Sequence, residues 1–283
     1  MSHSLHINKP LVSVNWLYEH LNATNLVVLN GTIPKVTAKK LSELIEEQQI
    51  FNARFFDLKN IFSVQGSTFP NTVLSAKDFE KEAQKLGINK DSCIVVYDEY
   101  GIYSAPRVWW LFKSFGFENV AVLDGGFPEW KKKNYPTEEK ENKEFSKGDF
   151  VAIQQDNLIL NSEEVLKLYN KPSVQVLDAR SSGRFYGNEP EPRAEVRNGH
   201  IPNSKSVPYA SLVSEGNMKS KEELATLFSE VTCENDKMIF SCGSGITACV
   251  LALGATLVGF ENLSVYDGSW TEWGSLTHLP IEK

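Results

Sequence analysis

The sequence predicts an α/β protein of two tandem domains, each a parallel sheet flanked by helices, and three observations carry that reading. Leu26-Val27-Val28-Leu29, Cys93-Ile94-Val95-Val96-Tyr97, Val120-Ala121-Val122-Leu123, Val174-Gln175-Val176-Leu177, Met238-Ile239-Phe240-Ser241 and Leu263-Ser264-Val265-Tyr266 are short and mostly apolar. Apolar runs of that length without polar alternation are strands covered on both faces. They alternate with stretches of helical length, as the crossovers of a parallel sheet require. The order also occurs twice: Gly116-Phe117-Glu118-Asn119 recurs as Gly259-Phe260-Glu261-Asn262, Asp124-Gly125 as Asp267-Gly268, and Glu129-Trp130 as Glu272-Trp273, all at an offset of 143. Three blocks at one offset mark a duplication.

In order along the chain, Asn8 to Leu21 reads as a short extended start followed by a helix. The strand Leu26–Leu29 stops at Asn30-Gly31, a turn signal. Leu41 to Gln49 is predicted helical, Ala53 to Phe56 a second short strand, and Asn60 to Pro70 an irregular loop rich in Ser, Gly and Thr. Ser75 to Leu86 has an N-cap serine, an acid three residues on and Gly87 as its stop, so it is a helix. The strand Cys93–Tyr97 leads to a helix over Ala105–Phe115, and Val120–Leu123 follows as a further strand. The second half repeats this with a helix over Ser220–Phe228, the strand Met238–Ser241, a helix over Ala248–Val258 and the strand Leu263–Tyr266. Between the halves, Lys131 to Asp149 is dense in Lys, Glu, Asn and Pro with few apolar residues. The expected boundaries are therefore a domain over 1–135, a linker over 136–155 and a domain over 156–283.

Composition narrows the function. The 283 residues are 41% hydrophobic and 23% charged, with a formal net charge of −7, which argues against nucleic acid or an anionic membrane as the main partner. An anionic substrate would need a local cluster of arginines. The apolar run from Ala248 to Phe260 is too short to span a bilayer. The first residues show no basic region followed by an apolar core, so a cytoplasmic protein is expected. Cys93, Cys233, Cys242 and Cys249 have neither disulfide-framework nor C-x-x-C spacing and are expected to be reduced; no metal site and no cofactor are implied.

The chemistry concentrates in Ser241-Cys242-Gly243-Ser244-Gly245-Ile246-Thr247-Ala248. A cysteine at the end of a strand, a loop with two glycines and a helix N-terminus together make an anion site around a thiolate. The unsatisfied amides of the first helical turn and the helix dipole both favour negative charge there. The thiolate is the nucleophilic form of cysteine. The bland alternative is a small buried core residue, and that reading is kept for Cys93 (start of a strand), Cys249 (inside an apolar helix) and Cys233 (an ordinary loop). At the offset of 143, Cys242 falls on Glu99, so the first half keeps the frame without the nucleophile and one active site per chain is expected. A cysteine phosphatase would need an arginine closing the loop in a C-x5-R pattern, and position 248 is alanine. A phosphate-binding loop fits no better, because no Gly-Lys-Ser/Thr follows the glycines.

Arg180, Arg184, Arg193 and Arg197 crowd the span from Asp178 to Gly199, on the loop after a strand, which tends to line the carboxyl edge of a parallel sheet. They either pair with Glu189, Glu191 and Glu195 or hold a substrate carboxylate before Cys242. His200, in Gly-His-Ile-Pro, is read as structural.

Taken together, the duplicated halves, the cysteine loop in the second alone, Asp178-x-Arg180 and Gly199-His200-Ile201-Pro202 resemble the rhodanese superfamily over nearly the whole chain. The loop Cys242-Gly-Ser-Gly-Ile-Thr247 is similar to that of the branch using 3-mercaptopyruvate as sulfur donor, whereas thiosulfate-using members carry basic residues where Gly243 and Ser244 stand here. The resemblance implies two rhodanese-like domains and sulfur transfer through a Cys242 persulfide to thioredoxin, a small thiol or cyanide, with release of pyruvate. It implies Ser244 as a second catalytic residue. Arg184 of Ser182-Gly183-Arg184-Phe185 and Arg193 of Glu189-Pro190-Glu191-Pro192-Arg193 would hold the carboxylate, and backbone amides of Gly243, Gly245, Ile246 and Thr247 the sulfur. Tyr266-Asp267-Gly268-Ser269-Trp270 and Ser104-Ala105-Pro106-Arg107-Val108-Trp109-Trp110 look like structural family signatures. Members often carry an acid and a histidine assisting the loop serine; anchored on Phe55-Phe56-Asp57 and Pro70, those places fall on Lys59 and Ser67. Thiosulfate:cyanide sulfur transfer is the alternative activity, and a persulfide carrier or redox sensor with little turnover is the alternative of another class.

Overall fold

Runs of four or five buried apolar residues form the centre of two parallel sheets in the computed structural model, which describes residues 4–35, 47–141, 143–232 and 237–283. The chain divides into two units, one of Met1–Gln65, Val73–Gln155 and Glu215–Asn217, the other of Gly66–Thr72, Asp156–Ser214 and Met218–Lys283.

In the first unit five parallel strands lie in the order Leu11–Val12, Val120–Leu123, Cys93–Tyr97, Leu26–Asn30, Arg54–Phe55. The central strand Cys93–Tyr97 is buried throughout, as a strand covered on both faces must be. On one face Phe56, Phe62, Phe79, Phe112 and Phe150 form a cluster of rings, Phe56 stacked on Phe62 and the other pairs tilted or edge-on. On the other, Leu17, Phe127 and Trp130 close a second apolar cluster. The helix Ala76–Lys85 starts as its sequence predicts: the Ser75 side chain accepts from the Asp78 amide, and Gly87 follows at φ +68°. Leu41 to Gln49, expected to be helical, lies mostly outside the described residues, and its visible end Gln48–Ile50 is a strand paired antiparallel with Thr137–Glu139.

The second unit repeats the order as Ile159–Leu160, Leu263–Tyr266, Lys237–Ser241, Val174–Asp178, Lys205–Ser206, again all parallel. The helix Ala248–Leu257 is buried over most of its length, which explains why it shows no polar face. The helix Lys221–Ser229 begins with a full capping box between Ser220 and Glu223. No described helix is long and apolar enough to cross a membrane.

Equivalent hydrogen bonds fix the counterpart of Cys242. The Trp270 amide donates to the Cys242 carbonyl at 2.9 Å, and 143 residues earlier the Phe127 amide donates to the Asp98 carbonyl at 3.0 Å. Asp98, not Glu99, therefore occupies the place of Cys242. The loop from Asp98 to Ser104 is one residue longer than the loop from Cys242 to Thr247, and a constant offset misses that step.

Candidate active site

Cys242 is the first residue after the strand Lys237–Ser241, whose last residue pairs with Asp178, so the thiol stands at the carboxyl edge of the sheet. It is 2% exposed. The loop is held from beneath by the segment after the strand Leu263–Tyr266. Besides the Trp270 bond, the Thr271 amide and hydroxyl both donate to the Gly243 carbonyl, at 2.9 and 2.5 Å.

Ser269 is the hub of this support. Its Oγ accepts from the amides of Cys242 (3.1 Å) and Gly245 (3.2 Å), and its own hydrogen goes to the Tyr266 carbonyl at 2.9 Å. The Cys242 sulfur lies 4.0 Å from the same oxygen. Ser269 sits at φ +50°, a left-handed conformation that costs a non-glycine residue about 1 kcal/mol or more. Its duplicate, Gly126, has φ +50° as well. The signal for Ser269 was thus in the repeat: where one copy has glycine at a left-handed position, the other keeps a serine. Sequence reasoning saw only a structural signature there.

Gly245 was expected to turn its amide to the sulfur; that N–H goes to Ser269 Oγ instead. Its own part is conformational, a turn at φ +76° that a β-carbon would strain. The backbone N–H groups of Ser244, Ile246, Thr247 and Ala248 have no protein acceptor among the described residues. They lie between Cys242 and the first residue of the helix Ala248–Leu257, and amides at such a helix N-terminus can receive an anion.

Ser244 is buried, and its neighbour is not the expected one. The Asn71 Nδ2 donates to Ser244 Oγ at 3.1 Å and to the Ser244 carbonyl at 3.2 Å. Ser67, the position assigned to a helper of Ser244, instead shares a hydrogen bond of 2.8 Å with Thr72 Oγ1, which donates to the Phe69 carbonyl. Ser67 braces the turn, and the turn presents Asn71 at φ +60°. Lys59, assigned to the acid, is exposed in the first unit. Counting along an irregular loop from Phe55-Phe56-Asp57 could not resolve a difference of four residues.

The four arginines separate into two pairs. Arg180 is buried, donates to both Asp178 oxygens and to Glu191, and stacks on Trp270. The Asp178 and Glu191 charges outweigh burial and raise its pKa, so this guanidinium is a fixed structural cation. Arg197 donates to the carbonyls of Trp273, Gly274, Leu276 and Leu279, closing the C-terminal end of the helix Ser269–Ser275. Arg184 pairs with Glu191 (Nη2 to Oε2, 2.6 Å) and lies against Gly243, where an added β-carbon would stand 3.2 Å from Nη2. Arg193 donates to Thr271 Oγ1 at 3.1 Å and has no carboxylate partner among the described residues. Arg184 and Arg193 thus both converge on Gly243, one directly and one through Thr271.

The remaining candidates are structural. His200 is buried, stacks on Phe185 and has its Nδ1 3.0 Å from the Phe185 carbonyl. Cys93 lies in the first core, where burial pushes its thiol up to about 12. Cys249 donates to the Gly245 carbonyl from inside its helix. Cys233 lies outside the described residues. No group of His, Cys, Asp and Glu among the described residues could hold a metal ion.

The family model described as "Rhodanese-like domain" matches this chain twice, over residues 37–133 and 161–276. A 3-mercaptopyruvate sulfurtransferase of Rattus norvegicus is 38% identical over 94% of this chain and 92% of its own length. A thiosulfate/3-mercaptopyruvate sulfurtransferase of Arabidopsis thaliana, named as mitochondrial, is 36% identical over 99% of this chain and 79% of its own. Among solved structures, SseA from Escherichia coli, described as a 3-mercaptopyruvate sulfotransferase with the rhodanese fold, superimposes with a TM-score of 0.83 at 30% identity, covering 93% of this chain and 99% of that one.

Proposed function

The chain belongs to the family of rhodanese-like domains, and we infer that it is a sulfurtransferase taking sulfur from 3-mercaptopyruvate onto Cys242 and passing it to an acceptor. The observation that carries the choice of donor is the packing at Gly243. The two positions after the nucleophile bear no charge, and the Arg184 guanidinium occupies the space a side chain at 243 would take. A thiosulfate donor is a dianion at its sulfur-bearing end and would be served by cations on the loop itself. Mercaptopyruvate carries one carboxylate at the end remote from its thiol, which suits cations set back from the sulfur.

Arg193, with no carboxylate of its own, and Arg184 would hold that carboxylate. The Cys242 thiolate attacks the substrate sulfur, a sulfur–sulfur bond forms, and the carbon–sulfur bond breaks with its electron pair passing to carbon as the enolate of pyruvate. Ser244 donates a hydrogen bond to the enolate oxygen. The amides of Ser244, Ile246, Thr247 and Ala248 stabilise the charge on the outer sulfur. The proton balance closes within the pair: the substrate's thiol proton ends on the methyl carbon of pyruvate, leaving the persulfide as an anion. An acceptor thiol such as that of thioredoxin or a small thiol, or cyanide, then removes the outer sulfur. We place this chemistry in the cytoplasm, where thiols such as Cys93, Cys242 and Cys249 stay reduced; fractionation of the native cells checks it.

The test is a single turnover followed by intact mass. Mercaptopyruvate adds the mass of one sulfur atom and releases one pyruvate per chain, and the Cys242→Ala variant gains nothing. Full labelling of that variant would remove Cys242 from the mechanism. Higher kcat/KM with thiosulfate than with mercaptopyruvate would reverse the donor, and a single burst of pyruvate without turnover in the presence of acceptor thiol would make the chain a carrier.

A further inference from the structure

The hydroxyl proposed to act on the substrate is held by a group that cannot take a proton. One atom of the Asn71 amide meets both Ser244 Oγ and the Ser244 carbonyl, at 3.1 and 3.2 Å. A carbonyl oxygen only accepts, so that atom is the nitrogen, and its two hydrogens are directed at the two oxygens of Ser244. Ser244 Oγ therefore receives a hydrogen bond from Asn71 and has its own single hydrogen to give elsewhere. A carboxamide neither accepts this proton nor titrates in the range where proteins work.

We propose that Asn71 is a positioning residue that fixes Ser244 as a neutral hydrogen-bond donor to the substrate's carbonyl oxygen, in place of a proton relay. This deepens the sulfurtransferase reading and rests on it. The reaction has no need of a base at this point, because the thiol proton of the substrate balances the carbanion formed when its carbon–sulfur bond breaks. What the enolate oxygen requires is a donor already aimed at it, and a donor set beforehand costs no reorganisation as charge develops. The setting is built with some care. Asn71 occupies a left-handed position, φ +60°, that asparagine tolerates better than most residues. Thr72 and Ser67 lock the same turn through the bonds to Phe69 and to each other. All of it belongs to the segment Gly66–Thr72, which lies in the second unit with Ser244.

A double-mutant cycle tests this. Asn71→Gly removes the amide while keeping a residue at ease at positive φ, so loss of the clamp is separated from backbone strain. With mercaptopyruvate, Asn71→Gly lowers kcat roughly tenfold, as loss of an aimed hydrogen bond does, with KM changed less than twofold. In a Ser244→Ala background the same change has no further effect, because Asn71 acts through Ser244. Asn71→His introduces a group that titrates near neutrality and adds an inflection in kcat against pH that the native protein lacks. Equal losses from Asn71→Gly in both backgrounds, or an unaltered profile in Asn71→His with full activity, overturn the proposal. If native protein releases no pyruvate from mercaptopyruvate at all, the sulfurtransferase reading falls first and this inference with it; if it turns over normally while the cycle is additive, only the role of Asn71 falls.

Discussion

The loops that follow the central strands of the two units start from one backbone plan and put different side chains at its first position, Asp98 in one and Cys242 in the other. In the first unit the carboxyl group of Asp98 turns back into its own loop. Its Oδ1 accepts from the Tyr100 amide, and its Oδ2 from the amides of Tyr103, Ser104 and Ala105, at 2.8 to 2.9 Å. Burial pushes this carboxyl up from its ordinary range, and the four amide donors oppose it. In the second unit the equivalent amides, those of Ser244, Ile246, Thr247 and Ala248, meet no protein acceptor among the described residues, and a sulfur stands where Asp98 stands. The first loop is a cradle sealed by its own side chain. The second is a cradle left for what the cysteine brings. The contrast teaches that amides at the N-terminus of a helix are a fixed property of the duplicated strand–loop–helix frame. Catalytic capacity comes from withholding the internal acceptor and supplying a nucleophile.

The sharpest way to break that comparison is to make the second loop resemble the first. Cys242→Asp offers the open amides a carboxylate, while Cys242→Ala leaves them open. Both abolish pyruvate release, by about 10⁴-fold or more, because the other described thiol at the loop, Cys249, lies inside its helix and gives its hydrogen to the Gly245 carbonyl. The comparison makes a second demand: Cys242→Asp melts at a temperature no lower than Cys242→Ala, measured by circular dichroism at pH 8. A markedly lower melting point for the aspartate would mean that the second cradle does not accept an anion.

The converse change empties the sealed cradle. Asp98→Ala leaves four amides without their acceptor, those of Ser104 and Ala105 buried and those of Tyr100 and Tyr103 partly buried, and such losses cost on the order of 3 kcal/mol. Urea titration reads this as a lower midpoint with the slope unchanged. The persulfide yield per folded chain stays at the native value, since Asp98 lies in the unit without the nucleophile.

How much of this was legible in the sequence depends on what each residue reports. The central strands were readable because a run such as Cys93–Tyr97 must be buried on both faces and leaves no other reading. Cys242 was readable because its duplicate lacks a thiol. The pairing of Gln48–Ile50 with Thr137–Glu139 was not, since strands so polar carry no periodic signal and exist through their partner. The edge strands Ile159–Leu160 and Lys205–Ser206 were too short to stand out. Asn71 was hidden for another reason. It comes to Ser244 from 173 positions away, on an irregular loop whose length is free to vary, and only the folded chain shows which residue arrives.

Ser269 and Gly126 offer a smaller test of the same contrast. Ser269→Gly gives the second unit the residue the first has at φ +50°. Relief of backbone strain offsets part of the loss of the bonds to the Cys242 and Gly245 amides, so stability changes by no more than about 1 kcal/mol. Activity falls roughly tenfold, because the loop loses the oxygen that fixes the nucleophile's own amide. A stability loss several times larger with normal kcat would make Ser269 a structural residue only.

The smallest effect contrasts one thiol from each frame, Cys93 and Cys242. Cys93 opens the central strand of the first unit, inside the core, and burial pushes its thiol up to about 12 from an ordinary value of 9.0. Between those pH values the unfolded chain has lost this proton and the folded chain keeps it. The folded state therefore binds more protons, and stability contributed by the neutral thiol falls as pH rises through that window, while it is fully present below about 9. Cys93→Ala removes the term. Its stability, lower at neutral pH because of the small cavity it leaves, declines less steeply than the native value between pH 9 and the onset of alkaline unfolding, as urea midpoints at successive pH values would record. Alkylation at pH 7.5 adds the kinetic half of the contrast: iodoacetamide reaches Cys242 in the folded protein and Cys93 only in urea. Labelling of Cys93 in the folded protein at the rate of Cys242 would show that burial in the first core does not separate the two thiols.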